Sequence, residues 1–167
     1  MTGDEFLRRL QQSQREIENC INNVLPVKIG ALAKAHFQEN FIKGGFVNNG
    51  LHTWKPAKRL AKGATRRRTK NGKLSKRART LAINKYKTLL SDKNHLFSSI
   101  YYTPSRAAVR IYNPVNYAAV HNEGLRAGRG KGFIMPKRQF IGESAELNKK
   151  VQQTIEKELT KIINLHN

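Results

Sequence analysis

The sequence predicts an α+β fold forming a single domain over residues 1–167. N-terminal helices and a long C-terminal helix pack on a small antiparallel sheet, with extended basic loops. Three observations predict it. Apolar residues recur at three- and four-residue spacing at both ends of the chain. Two short runs rich in strand formers flank the Pro104-Ser105-Arg106 connection in the middle. Two cation-rich, glycine-containing stretches carry too few apolar side chains to bury a core of their own.

Residues 4–43 read as two consecutive helices. Phe6, Leu7, Leu10, Ile17, Cys20, Ile21 and Val24 form an inward stripe on the first. Thr2 and Glu5 have the spacing of a capping box. Pro26 ends this helix or opens the next. The second carries Ile29, Leu32, Ala33, His36, Phe37, Asn40 and Phe41 near one stripe and stops at Gly44-Gly45. Residues 55–76 are expected as a mobile basic loop, and 76–91 as a helix capped by Ser75 with Ala78, Ala82, Tyr86, Leu89 and Leu90 inward.

A β-hairpin is expected over 97–112, with Ala107, Val109 and Ile111 on one face of its second strand. A short helix over 116–124 follows Asn113-Pro114 and ends at Gly124. Residues 125–135 read as a second flexible basic loop, with Gly128, Gly130 and Gly132 between Arg126, Arg129 and Lys131. The last helix covers 142–165, with Leu147, Val151, Ile155, Leu159, Ile162 and Ile163 on its apolar face.

Charge is the strongest compositional signal. The chain holds 32 Lys and Arg against 11 Asp and Glu, a net +21 in 167 residues. Such a charge strains a compact monomer by self-repulsion and attracts polyanions. It is also uneven: between Asn40 and Ser91 stand 15 of the cations and no acid. The lone Cys20 excludes a disulfide framework or a cysteine-based zinc site, and a reducing place of synthesis fits. No apolar run approaches the roughly 20 residues that span a bilayer, and Asp4 and Glu5 do not suit a secretion signal. A soluble protein, cytoplasmic when made, is expected.

Candidate chemistry is sparse. His121 and Glu123 invite a metal or acid–base reading, but residues two apart on a helix face different sides. Zinc requires three or four ligands, and the remaining histidines show no ligand spacing. Packing of Tyr117 against His121 one turn away, and a pairing of Glu123 with an arginine, are the simpler readings. Gly128-Arg-Gly-Lys131 lacks the spacing and the hydroxyl of a phosphate-binding loop. Catalytic, cofactor and metal residues are therefore expected to be none.

Arg66, Arg67 and Arg68, with Lys55, Lys58, Arg59, Lys70, Lys73, Arg126, Arg129 and Lys131, are the candidate contacts to nucleic acid or to an acidic protein partner. A merely solvated loop is the alternative. No aromatic side chains interleave with the cluster, which disfavours single-strand stacking. Trp54 is either a core anchor beside the loop or an interface residue.

Several spaced residues together resemble one family. Gly44-Gly45 and Trp54 precede the basic stretch, and Leu96 with Ser99-Ile100 precedes the strand pair. Then come Tyr117-Ala118-x-x-His121-x-x-Gly124 and Pro136-x-Arg138-x-Phe140-x-Gly142 before the last helix. In this order they resemble the phage virion morphogenesis or tail-completion family, whose members act at the head–tail junction.

The resemblance implies a non-enzymatic structural protein, repeated as a ring and joined to phage tail or neck/connector proteins. It implies a place in the virion after assembly in the bacterial cytoplasm, with non-specific DNA contact and no membrane. It implies that Tyr117, His121 and Gly124 set a short helix and its stop. Phe140 would plug the core, and Arg138 would sit in a hydrogen-bond network or subunit contact. The alternative reading is a free-standing, non-enzymatic basic nucleic-acid-binding protein. A metal-dependent nuclease is disfavoured by the absence of a carboxylate cluster in the sequence.

Overall fold

The computed structural model describes residues 2–60, Asn71 and 86–165. Helices from both ends combine with small antiparallel strand pairs, an α+β fold. The pairing differs from the single sheet expected. Among the described residues there are three separate two-stranded ladders, each a local hairpin with strands of only two to five residues. The chain divides into two compact units, Met1–Phe37 with Ile100–Asn113 and Gly142–Asn167, and Gln38–Ser99 with Pro114–Ile141.

The first unit starts with α1 (Gly3–Asn19). Thr2 and Glu5 form the capping box: the Glu5 N–H donates to the Thr2 hydroxyl at 3.3 Å, and the Thr2 N–H donates to the Glu5 carboxylate at 2.8 Å. The chain does not break at Pro26. It passes through a π-helical turn, Cys20–Val24, into α2 (Leu25–Lys43). Pro26 lacks an N–H and its ring crowds the carbonyl four residues back. A widened turn just before it relieves both problems while the axis continues.

The inward stripe expected on α1 is only partly inward. Cys20 is buried, but no residue of α1 itself is, and Phe6, Leu7 and Leu10 are 52%, 54% and 56% exposed.

The hairpin of this unit pairs β3 (Tyr101–Ser105) with β4 (Ala108–Tyr112), Tyr101 opposite Tyr112 and Ser105 opposite Ala108. It starts four residues later than the sequence predicts. Residues 95–98 instead form a helical turn, α3 (His95–Ser98). Local bonds explain the change: the Ser98 hydroxyl donates to the Asn94 carbonyl at 3.0 Å, and Asn94 Oδ1 accepts the Ser91 N–H at 3.1 Å. Tyr102 lies so close over Gly30 of α2 that a β-carbon there would overlap its ring. The unit closes with α5 (Ala145–Leu165), three residues shorter than expected because Ser144 caps it, accepting the Leu147 N–H at 3.2 Å. Lys28 of α2 pairs with Glu158 of α5 at 2.6 Å.

The second unit holds the end of α2, then β1 (Gly45–Val47) and β2 (Leu51–Thr53). No strand is expected here from the sequence, yet the three-residue loop Asn48-Asn49-Gly50 carries turn residues, and Asn49 and Gly50 both take positive φ. Of the helix expected over 76–91, residues 76–85 lie outside the described residues, and 86–91 are turn rather than helix. Leu89 is left-handed at φ +65°. The Leu90 N–H bonds the Lys87 carbonyl as a turn, while the Thr88 hydroxyl accepts the Ala57 N–H and the Lys87 ammonium donates to the Ile42 carbonyl, tying that turn to distant chain. Most of the 55–76 loop likewise lies outside the described residues, its first part being extended chain and a 3₁₀ turn, Lys58–Leu60.

The short helix, α4, spans Ala118–Glu123 between Tyr117 and Gly124. The stretch 125–135 is more ordered in form than a basic loop. Its ends pair as β5 (Arg126–Ala127) and β6 (Phe133–Ile134), and Met135 N–H donates to the Leu125 carbonyl at 3.0 Å. Gly128, Gly130 and Gly132 all take positive φ, which lets five residues turn the chain back on itself.

Candidate functional site

The residues singled out by spacing converge in the second unit on one short segment, 136–141. Phe41 is fully buried there, with ring centroids 5.0 Å from Phe140, 5.5 Å from Trp54 and 6.0 Å from Phe97. Edge-on and tilted arrangements of this kind add to the transfer energy of each ring. Phe140 is 1% exposed and Trp54 7%, so both serve the core of this unit.

The segment is then tied down by side chains bonding its backbone. Trp54 Nε1 donates to the Gln139 carbonyl at 2.8 Å. Asn40 Nδ2 donates to the Phe140 carbonyl at 3.1 Å, while its oxygen accepts the Val47 N–H at 3.2 Å. Asn122 Oδ1 accepts the Phe140 and Ile141 N–H groups at 2.9 and 3.0 Å, and its amide donates to the Ile141 carbonyl at 3.1 Å. The segment forms no ladder with another strand, so two asparagines take the place of one.

Arg138 is 5% exposed. Its Nε donates to the Lys55 carbonyl at 2.8 Å, its Nη2 to the Pro56 carbonyl at 3.4 Å, and its backbone N–H to the His121 carbonyl at 2.7 Å. Arg138 thus ties the start of the basic stretch to α4, its guanidinium holding the former and its backbone N–H the latter.

Tyr117 and His121 meet edge to face, centroids 6.0 Å apart. Burial, then the Arg138 charge, hold the His121 pKa below its ordinary 6.5, so the ring is neutral near pH 7. Its Nδ1 is buried without a hydrogen-bond partner. Gly124 ends α4 at φ +74°, and a β-carbon there would stand 3.0 Å from Lys137. Glu123, expected opposite an arginine, faces Lys137 at 3.6 Å. Pro136 is half-buried in the same segment, whereas Gly142 falls in the first unit, also half-buried.

A cleft of about 230 Å³ opens beside this network, lined by Thr88, Ser91, His95, Tyr117, His121 and Arg138 among others. Its polar lining is hydroxyls, the imidazoles of His95 and His121 and the Arg138 guanidinium, with no carboxylate among the described lining residues. Among the described residues no three His, Cys, Asp or Glu side chains come together to hold a metal ion.

The candidate cationic contacts fall in this unit by chain position. Lys55 and Lys58 are exposed, as are Arg126 on β5 and Arg129 and Lys131 in the glycine turn. Arg59 sits in the 3₁₀ turn. Arg66, Arg67, Arg68, Lys70 and Lys73 lie outside the described residues.

The two asparagines are the main residues that sequence reading passes over as bonding groups. Asn40 sits on an apolar helix stripe, and Asn122 falls between the better-marked His121 and Glu123. The available signal is a polar side chain at an inward helix position, which must find a partner.

The geometry describes a scaffold of ring packing and backbone clamps with a cationic exterior. No curated protein and no solved structure matches the chain. The profile of the phage virion morphogenesis family matches residues 52–160, about two thirds of the chain and nearly all of the network above. The chain therefore belongs to the phage virion morphogenesis family and has a structural, virion-associated role in building the phage particle.

Proposed function

We propose that this chain is a tail-completion or neck component that acts at the head–tail junction. It works by shape and positive field and transforms no substrate. Copies assemble as a ring against tail or connector proteins, and the cationic residues of the second unit lie towards DNA or an acidic ring surface. Closed rings use heterologous contacts, one patch meeting a different patch on the neighbour.

One observation carries the reading beyond the family match. Charge is partitioned between the units. The first contains 11 Lys and Arg against 8 Asp and Glu, the second 21 against 3. A surface that must meet a neighbouring copy is best nearly neutral, and one that lies along phosphates is best cationic. A free-standing nucleic-acid-binding protein shares the second property but has no use for the first.

The test is assembly of particles from a phage lacking this gene. Filled heads and separate tails are expected to accumulate, and the purified protein to restore joined, infectious particles when added. Normally joined virions without the chain would refute the proposal.

A further inference from the structure

We propose that the start of α1 in one copy seats its apolar stripe in an apolar groove of the first unit of a neighbouring copy. The inference rests on the reading that copies of this chain assemble, and it names the surfaces that meet.

Two unsatisfied features of the same unit motivate it. Phe6, Leu7 and Leu10 fall within one turn on one face of α1, and each is more than half exposed. Capped by Thr2 and Glu5, that turn is a formed helix rather than a loose end. The groove is about 350 Å³, lined by Ile21, Leu25, Ile29, Val109, Ile155 and Leu159, with only Pro26 and alanines besides. A stripe at i, i+1 and i+4 is the pattern with which a helix enters such a groove.

The stripe cannot fill the groove of its own chain. Phe6 and Ile21 stand on one continuous helical path, with the Cys20 N–H bonded to the Glu16 and Ile17 carbonyls and the Leu25 N–H to the Cys20 carbonyl. Fifteen residues at about 1.5 Å each put some 22 Å between them. Occupancy in trans is the remaining option.

Charge selects a second copy as the occupant. With 11 cations and 8 acids, this unit is where two copies of a +21 chain repel least. The first turn of α1 carries Asp4 and Glu5, and the hairpin beside the groove carries Arg106 and Arg110. None of these four makes an ion pair among the described residues, although the Glu5 carboxylate accepts the Thr2 N–H, Arg106 donates to Asn22 and Arg110 lies over the Tyr112 ring. Asp4 at the helix start and Arg106, next in sequence to the lining Ala107, are the complementary charges. Because stripe and groove are different patches, the contact repeats from copy to copy and suits a ring. It buries little area against the roughly 1,200 Å² of a stable complex, so it is weak until the ring closes.

The sign of the salt effect is diagnostic. Screening weakens the repulsion between +21 copies more than it weakens the local acid–arginine attraction, so it tightens this largely apolar contact, whereas phosphate binding loosens.

The experiment uses the full chain in a Cys20→Ala background, with Leu7→Cys and Val109→Cys as separate variants. Under mild oxidation the mixture is expected to give a covalent dimer and each variant alone none. A chain carrying both gives a ladder. Leu7→Cys cross-linking to itself as readily would mean that helices pair with helices, and would overturn the proposal. So would a mixture that never cross-links, the result if another virion protein or a small apolar ligand fills the groove.

A second measurement covers loss of folding in that background. Leu7→Gln with Leu10→Gln, both on exposed positions, is expected to weaken self-association in 0.5 M salt at least tenfold by sedimentation while leaving duplex DNA affinity unchanged. Unchanged self-association, or a parent chain that stays monomeric, defeats the contact. If this variant joins heads to tails normally, the contact falls and the joining role stands. If the parent chain cannot join them, the joining role falls instead.

Discussion

The two units of this chain solve the folding problem in different ways. The first is built from long helices whose apolar stripes meet each other and the β3–β4 hairpin, and its charges nearly cancel. The second has short strands and turns, and it is held by one cluster of rings and by Asn40, Asn122, Trp54 and Arg138 bonding backbone groups. Almost all of the net positive charge lies in it. A helix supplies its own backbone hydrogen bonds and leaves its side chains for packing. Irregular chain must borrow side chains for that task. The contrast teaches that the family motif of the second unit is chiefly the means of holding an irregular, cation-bearing surface in one shape.

The largest effect that bears on this contrast is on polyanion binding. Replacing Lys55, Arg126, Arg129 and Lys131 by Glu lowers the net charge by the same amount as replacing Arg15, Lys149, Lys150 and Lys157 by Glu. All eight residues are exposed. If the second unit faces phosphate, the first set reduces the dependence of log affinity on log salt by about 0.9 per lost contact, and the second set changes it little. Titration of a labelled duplex between low and physiological salt measures both. Equal losses would mean that net charge alone matters and that the partition has no functional meaning.

A smaller effect compares one residue type in the two units. Phe140 is 1% exposed and Phe6 is 52% exposed. Phe140→Ala is expected to lower unfolding free energy by about 3–5 kcal/mol. Phe6→Ala should stay within about 0.5 kcal/mol. Denaturant titration reads both. A large cost at Phe6 would show that the α1 stripe is already covered in the isolated chain, against the groove contact.

How far the sequence reveals this structure follows the same division. The capping box at Thr2, the stop at Gly124 and the long C-terminal helix are legible because each depends on a few neighbouring residues. The misreadings occur where distant groups decide. Residues 86–91 have helical apolar spacing, but Leu89 turns left-handed, and the Thr88 and Lys87 side chains tie the turn to Ala57 and Ile42. The inward stripe on α1 has the correct period, but no surface among the described residues covers Phe6, Leu7 and Leu10. Periodicity identifies the face of a helix that must be covered, not the molecule that covers it. The ordered motif at 117–124 and 136–142 pointed to the family, yet its central hydrogen-bonding residue, Asn122, has no outward mark in the sequence.

The smallest expected effect separates the units by pH. Burial and the Arg138 charge depress the His121 pKa below its ordinary 6.5. The unfolded chain therefore takes up a proton before the folded one does, and stability falls as pH drops from about 6.5 towards the folded value. Above that range His121 is neutral in both states and contributes no slope. Glu158 of the first unit behaves differently, its pKa lowered chiefly by the hydrogen bond from Lys28 and then by that from Lys161. Its contribution is complete above the ordinary carboxylate value of 4.5 and is lost only as pH falls through the lower folded value. Acidification from neutrality should thus draw its first response at His121. Denaturant midpoints between pH 7.5 and 5.5 should decline in the parent chain and decline less in His121→Gln. Identical slopes in the two proteins would place the proton uptake elsewhere and leave the half-buried imidazole without a part in it.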